Sequence, residues 1–121
     1  MDKVRYRDLG CGDIIAINFS PSKGHEQKGY RPGIVLSDPA TQIELGGLTT
    51  VAPITNNPRE FFTRVPLDEH GMQTTGSILM DQVKVLDLSA REFVYLETAP
   101  DEVLSACKEI FEAIYEKLLS C

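Results

Sequence analysis

The stretch Ser20-Pro21-Ser22-Lys23-Gly24-His25-Glu26-Gln27-Lys28-Gly29-Tyr30-Arg31-Pro32-Gly33-Ile34-Val35-Leu36-Ser37 organises the rest of the chain around itself. Its first part is dense in turn formers: Pro21, Gly24, Gly29, Pro32 and Gly33, with Ser20 and Ser22 beside Pro21. Its last part is apolar and β-branched, the composition of a strand packed into a core. A connection this long between two strands is either functional or disordered. The return to a defined strand at Ile34-Val35-Leu36 argues for function. Lys23, Lys28 and Arg31 stand here against Glu26, with His25, one of only two histidines in the chain. The stretch reads as the working loop of a small β protein.

Working outward, residues 13–19 place Ile14, Ala16 and Asn18 against Ile15, Ile17 and Phe19. Apolar residues on both faces predict a largely buried strand. Residues 32–37 form the second strand, with Pro32 at the first position, where a strand tolerates proline. Residues 38–47 contain Pro39 and Gly46-Gly47 and read as a second connection. Residues 48–54 form the third strand, stopped by Thr55-Asn56-Asn57-Pro58. Alternation of Phe61, Thr63, Val65 and Leu67 predicts a fourth strand over 61–67, then a turn at Asp68-Glu69-His70-Gly71. Residues 76–80 and 83–88 read as short strands broken near Asp81-Gln82. Ser89-Ala90-Arg91-Glu92 reads as a helical turn and 93–96 as a last short strand.

Short strands at this spacing predict a small antiparallel barrel or sandwich rather than βαβ units. The period then changes. Thr98 is placed to cap a helix with Pro100 and Asp101 in its first turn. Val103, Cys107, Ile110, Phe111, Ile114 and Leu118 recur at helical spacing, with Glu102, Glu109, Glu112 and Glu116 on the other side. The 121 residues therefore read as one mainly-β domain, 1–121, closed by an amphipathic helix.

At 42% hydrophobic and 25% charged residues, the composition is that of an ordinary globular protein with a core that needs no metal or disulfide. No run is long enough to span a bilayer. The opening Met1-Asp2-Lys3-Val4-Arg5-Tyr6-Arg7-Asp8 lacks the apolar core of a signal peptide. Cys11, Cys107 and Cys121 form no CxxC pair, and their odd number argues against a disulfide framework, so a reducing cytoplasm is the expected location. The net charge of −6 lies entirely in the second half: residues 1–60 carry seven Lys/Arg and seven Asp/Glu, residues 61–121 five and eleven. The local basic character of the opening loop thus survives inside an acidic chain.

Metal chemistry finds no spacing to support it: His25 and His70 are isolated, and neither an EF-hand nor an HExxH pattern occurs. There is no P-loop, no GxGxxG after a strand and no GxSxG elbow. No cofactor is expected. Four side chains at strand ends or loop tips remain. Arg31 can offer a phosphate a bidentate pair of charged hydrogen bonds. Thr55 can donate from a hydroxyl. His25, followed at once by Glu26, titrates near neutral pH. Asp81 stands at a strand break. Taken singly, such residues are more often a surface arginine, a turn former, a solvated loop and a strand cap, and none alone supports a function.

Together they resemble something specific. Gly12-Asp13-Ile14-Ile15, then Pro21-x-Lys23-Gly24-x-Glu26-Gln27-x-Gly29-x-Arg31-Pro32 before an apolar strand, is similar to the MazF/PemK/Kid family of toxin endoribonucleases. Val51-Ala52-Pro53-Ile54-Thr55 and Gly76-x-x-x-x-Asp81-Gln82-Val83 resemble that family's later motifs in the same order. The resemblance implies an SH3-like small antiparallel β-barrel with added helices, acting as a homodimer. It implies metal-independent cleavage of single-stranded RNA, in which the substrate's 2′-hydroxyl attacks the phosphorus to leave a 2′,3′-cyclic phosphate and a 5′-hydroxyl. Arg31 and Thr55 match the family's essential pair.

His25 and Asp81 occupy positions that the Kid-like branch uses in acid–base work. Its arginine two residues before the aspartate is Leu79 here, so that relay does not transfer intact. Proton transfer falls to Arg31 with His25, Glu26 or Asp81. Lys23, Gln27, Lys28, Asn56 and Gln82 are the expected RNA contacts, and Tyr30, Phe61 and Phe62 the aromatics available for stacking. The family implies an antitoxin partner with an acidic C-terminal segment. Its rivals are a gyrase poison on the same barrel, which does not need the Arg31–Thr55 pair, and a non-catalytic RNA- or protein-binding module.

Overall fold

The computed structural model describes residues 3–20, 24, 29–57, 59–68 and 70–121. Its strands are β1 (Asp13–Asn18), β2 (Tyr30–Val35), β3 (Leu48–Thr55), β4 (Arg64–Pro66), β5 (Ser77–Leu79), β6 (Lys84–Asp87) and β7 (Phe93–Thr98). Its helices are α1 (Pro39–Glu44) and α2 (Asp101–Leu118), with single 3-10 turns at Tyr6–Asp8 and Met80–Gln82. All pairings are antiparallel, in the order β4-β5-β3-β2-β1-β7, with β6 also on β3. β3 joins the parts: Leu48 to Val51 pair with β6, Val51 to Pro53 with β2, and Ile54 and Thr55 with β5. One strand serving three partners curls the sheet into the expected small, mainly-β, barrel-like form.

β1 is buried on both faces, as its double apolar pattern predicts. Ile14 joins a core cluster with Ile34, Ala52, Ile54 and Ile78 that Val103, Cys107 and Ile114 of α2 cover. Ile15 and Ile17 join a second cluster with Leu9, Phe19, Val35 and Val51. The sheet therefore separates two apolar layers. Burial pushes the Cys107 thiol up to about 12, so it packs as a small protonated apolar group.

Several local expectations are corrected. Residues 38–47 are not merely a connection: Asp38 accepts a 2.7 Å hydrogen bond from the Thr41 amide and starts α1, with Pro39 in its first turn. Gln42 of α1 is fully buried, donating to the carbonyls of Tyr6 (2.9 Å) and Leu9 (2.8 Å) and accepting from the Ser37 hydroxyl. β2 begins at Tyr30, so Pro32 lies inside it, opposite Ala16 and ahead of the first β2–β3 pair at Gly33. Only Arg64–Pro66 of the predicted 61–67 strand is extended, because the Arg64 amide bonds the Phe61 carbonyl and closes a turn. Residues 88–90 form a turn rather than a helical segment, held by Asp87, whose carboxylate accepts from the Ser89 amide and hydroxyl. Thr98 does not cap α2: its hydroxyl donates to the buried Asp13, and Pro100 precedes the first helical turn. Leu118 lies outside the core, 67% exposed.

Candidate active site

The β2–β3 ladder pairs Val35 with Val51, Ile34 with Ala52 and Gly33 with Pro53. The ladder ends there; Arg31 lies two residues beyond it on β2 and Thr55 two residues beyond it on β3. Arg31 also faces Ile17 of β1, and Thr55 pairs with Ser77 of β5, so four strands carry this pair to one end of the sheet. Arg31 is half-buried and Thr55 is 6% exposed. The Thr55 hydroxyl accepts a 3.2 Å hydrogen bond from the Asn57 amide. A hydroxyl that accepts keeps its own proton to donate.

The turn after Thr55 is fixed from the opposite side. Gly76 has φ +107°, and its backbone lies so close that a Cβ there would stand 2.3 Å from the Thr55 carbonyl oxygen. The Thr75 hydroxyl donates to Asn56 Oδ1 at 2.9 Å. One step further out, the Glu97 carboxylate of β7 accepts from the Thr74 amide (2.6 Å), the Thr74 hydroxyl (2.5 Å) and the Gln73 amide (3.2 Å). Burial alone would raise the Glu97 pKa, but these bonds outweigh it and hold the carboxyl below its usual range.

Beyond the turn, the Arg59 amide donates to Asn57 Oδ1 (3.1 Å), and the Arg64 guanidinium donates to the carbonyls of Asn57 (3.0 Å) and Arg59. Two hollows open beside this loop, of about 690 and about 420 Å³, with Asn57, Arg59, Phe61 and Arg64 common to both. The larger reaches Asn56, Thr75 and Gly76. The smaller reaches Asp81 and Gln82. Asp81 is exposed on the 3-10 turn Met80–Gln82.

Among the sequence-predicted residues, Arg31 and Thr55 therefore lie at the same end of the sheet, each two residues past the last β2–β3 pair. Asn56 lines one adjoining hollow, and Asp81 and Gln82 the other. Lys23, His25, Glu26, Gln27 and Lys28 lie outside the described residues. The base of their loop is described: the Phe19 amide bonds the Gly29 carbonyl at 2.9 Å, and Arg91 donates to the carbonyls of Asn18 and Ser20. Leu79 is buried at 2%, which excludes it from polar work, and its cross-strand neighbour is Arg64. Tyr30 lines a separate hollow with Arg5, Arg7 and Arg91, leaving Phe61 and Phe62 as the aromatics beside the Thr55 turn. Arg59 and Arg64 had no assigned role in the sequence; the clue was two arginines bracketing Phe61-Phe62 just after a strong strand stop. Among the described residues, no three His, Cys, Asp or Glu side chains converge to hold a metal ion.

The fold is that of a small, barrel-like antiparallel β protein closed by a C-terminal helix. The crystal structure of MazF from Deinococcus radiodurans matches with a TM-score of 0.82 and 31% identity, over 94% of this chain and 98% of that one. The crystal structure of MazE–MazF from the same organism matches with a TM-score of 0.75 and 31% identity, over 88% of this chain and 95% of that one. Residues 11–115 match the family described as PemK-like, MazF-like toxin of type II toxin–antitoxin system, and the chain belongs to it. The endoribonuclease toxin ChpB of Escherichia coli K12 is 39% identical over 118 residues, 93% of this chain and 99% of that protein. Among the described residues, no helix is long and apolar enough to cross a membrane.

Proposed function

We propose that this toxin is a metal-independent endoribonuclease that cuts single-stranded RNA at short sequences. The observation that carries this reading is that Arg31 and Thr55, a permanent cation and a hydroxyl donor, each lie two residues past the last β2–β3 pair, at the same end of the sheet. The names of the curated relatives, endoribonuclease toxins, support the same chemistry. The 2′-hydroxyl of the substrate attacks the adjacent phosphorus, and the 5′-oxygen leaves, giving a 2′,3′-cyclic phosphate and a 5′-hydroxyl end. Arg31 stabilises the charge that builds on the phosphorane oxygens, and Thr55 donates a hydrogen bond to one of them. One proton must leave the 2′-oxygen and one must reach the 5′-oxygen. His25, Glu26 and Asp81, with Arg31, are the groups of suitable chemistry. Lys23, Gln27, Lys28, Asn56 and Gln82 hold the flanking nucleotides.

The chain acts in this reading as a single domain and a cytoplasmic homodimer. An antitoxin with an acidic C-terminal segment blocks the same phosphate-binding surface, as a groove selected for anions allows. The test is incubation with mixed-sequence single-stranded RNA in EDTA, with the new ends mapped. Cleavage leaving cyclic phosphate and 5′-hydroxyl ends is expected. Arg31→Ala and Thr55→Ala should each slow it by roughly 10²–10³ or more with the fold intact. No cut at any sequence, as a gyrase poison on this fold would give, or normal cutting by both variants, overturns the assignment.

A further inference from the structure

Three of the six arginines of this acidic chain, Arg5, Arg7 and Arg91, line one hollow of about 840 Å³. It lies beside the edge strand β7, three strands along the sheet from β3, and shares no lining residue with the two hollows at the Thr55 turn. Glu92 is the one acid in its described lining. Two further acids stand close, and both are engaged: Arg5 Nε donates to Asp8 at 3.4 Å, and the Asp87 carboxylate accepts from the Ser89 amide and hydroxyl. The hollow is therefore a local excess of positive charge on a chain of net charge −6.

Rings share the lining: Tyr6, Phe93 and Tyr30, the last 63% exposed. Arg7 is held against one of them, its guanidinium carbon 5.5 Å from the Tyr6 centroid and its Nη2 3.5 Å from the Tyr6 hydroxyl. Arg91 is half-buried and held from one side, Nη1 donating to the carbonyls of Asn18 (2.7 Å) and Ser20 (3.1 Å). Its Nε and Nη2 are left to serve a ligand. Those two carbonyls end β1, and Tyr30 begins β2, so one wall of the hollow is the stem of the 20–28 loop. The stem is closed by the Phe19 amide on the Gly29 carbonyl (2.9 Å) and the Gly29 amide on the Ser20 hydroxyl (3.0 Å).

Arginine rather than lysine at all three positions suits a planar, bidentate anion such as a phosphate. Aromatic faces beside the guanidiniums suit a planar base. The volume falls within the range of sites that hold one small molecule. An acidic peptide would engage the arginines, but its carboxylates bring no planar ring to Tyr30 and Phe93. We propose that this hollow binds a free nucleotide, its phosphates on Arg5, Arg7 and Arg91 and its base against Tyr30 and Phe93. Because Arg91 serves both ligand and stem, occupation tightens the stem between Asn18 and Gly29. None of this rests on the ribonuclease reading.

The test is calorimetric titration of the full chain with adenosine diphosphate and, separately, with inorganic pyrophosphate. One saturable site for adenosine diphosphate is expected, with weaker binding of pyrophosphate. Arg5→Gln and Arg7→Gln together should weaken the nucleotide by roughly tenfold or more, as loss of charged hydrogen bonds does. Tyr30→Leu should weaken it and Tyr30→Phe should not, since the ring and not the hydroxyl meets the base. Hydrogen exchange at the Phe19 and Gly29 amides should slow when the nucleotide is added. No saturable binding, or equal affinity in the double variant, overturns the site. Pyrophosphate binding as tightly as adenosine diphosphate overturns the nucleotide assignment, and unchanged exchange at both amides overturns the link to the stem. Two arms separate other occupants. A polyglutamate peptide that binds more tightly than adenosine diphosphate, and is lost in the double variant, makes the hollow a protein-docking surface. Single-stranded RNA bound by the Thr55→Ala chain should keep its affinity when Arg5→Gln and Arg7→Gln are added; a loss there makes an RNA strand the occupant and overturns the free nucleotide.

Discussion

At the scale of single residues, the least replaceable of the described glycines is Gly76. Its φ of +107° belongs to backbone that side chains rarely adopt, and a Cβ would collide with a carbonyl, which cannot swing aside as a side-chain tip can. Gly76→Ala is therefore expected to cost at least about 1–3 kcal/mol in strain, with the Thr55–Asn56 turn displaced. A lower midpoint in urea unfolding, together with loss of RNA cleavage, is the expected result. A variant as stable and active as the parent would show that β3 and β5 separate freely there. Arg31 and Thr55 were singled out in the sequence by the family resemblance, through the Gly-x-Arg-Pro run and the Val51-Ala52-Pro53-Ile54-Thr55 segment. Arg64 was not, because nothing in a string of residues says that a guanidinium will turn back to carbonyls five and seven positions earlier.

At the scale of elements, α1 shows how one local motif can be read two ways. Pro39 looks like a breaker, yet a proline directly after Asp38 fits the start of a helix, where its missing amide is not needed. The Asp38 carboxyl is held below its usual range chiefly by the hydrogen bond from the Thr41 amide, with a further contribution from the Thr41 side chain. Asp38→Ala should lower stability, as the loss of such a cap does. Chemical denaturation reads this directly, and no change would mean that the buried Gln42, not the cap, holds α1. Thr98 shows the reverse case. Its position suited a cap, but the buried Asp13 carboxylate accepts its hydroxyl, because a charge 1% exposed must be bonded on all sides. Lys3 and the Gly10 amide complete that shell, tying the N-terminal segment to β1 and β7. The 61–67 alternation was likewise a sound strand signal, cut to three residues by the turn that Arg64 closes.

At the scale of the whole molecule, Glu97 links the outer strand β7 to the loop that carries Thr75 and Gly76. Its pKa is lowered in the folded state, so its contribution to stability is fully present above the ordinary value of 4.5 and is lost as pH falls through the lower folded value. Glu97→Gln should flatten the acid limb of the stability profile relative to the parent, leaving the slope that Asp38 and Asp87, also lowered, still supply. Urea unfolding at a series of pH values checks this, and parallel profiles for parent and variant would refute it. By itself the sequence determined the strand-rich order, the burial of β1 on both faces and the closing helix. These depend on period, turn chemistry and residue type, all of which are local. Only the tertiary structure decided that β3 would serve three partners, that α1 would bury Gln42, and that Arg59, Phe61 and Arg64 would gather around the turn that follows Thr55. Those outcomes depend on which distant backbone groups need hydrogen-bond partners once the sheet has curled, and sequence spacing carries no record of that.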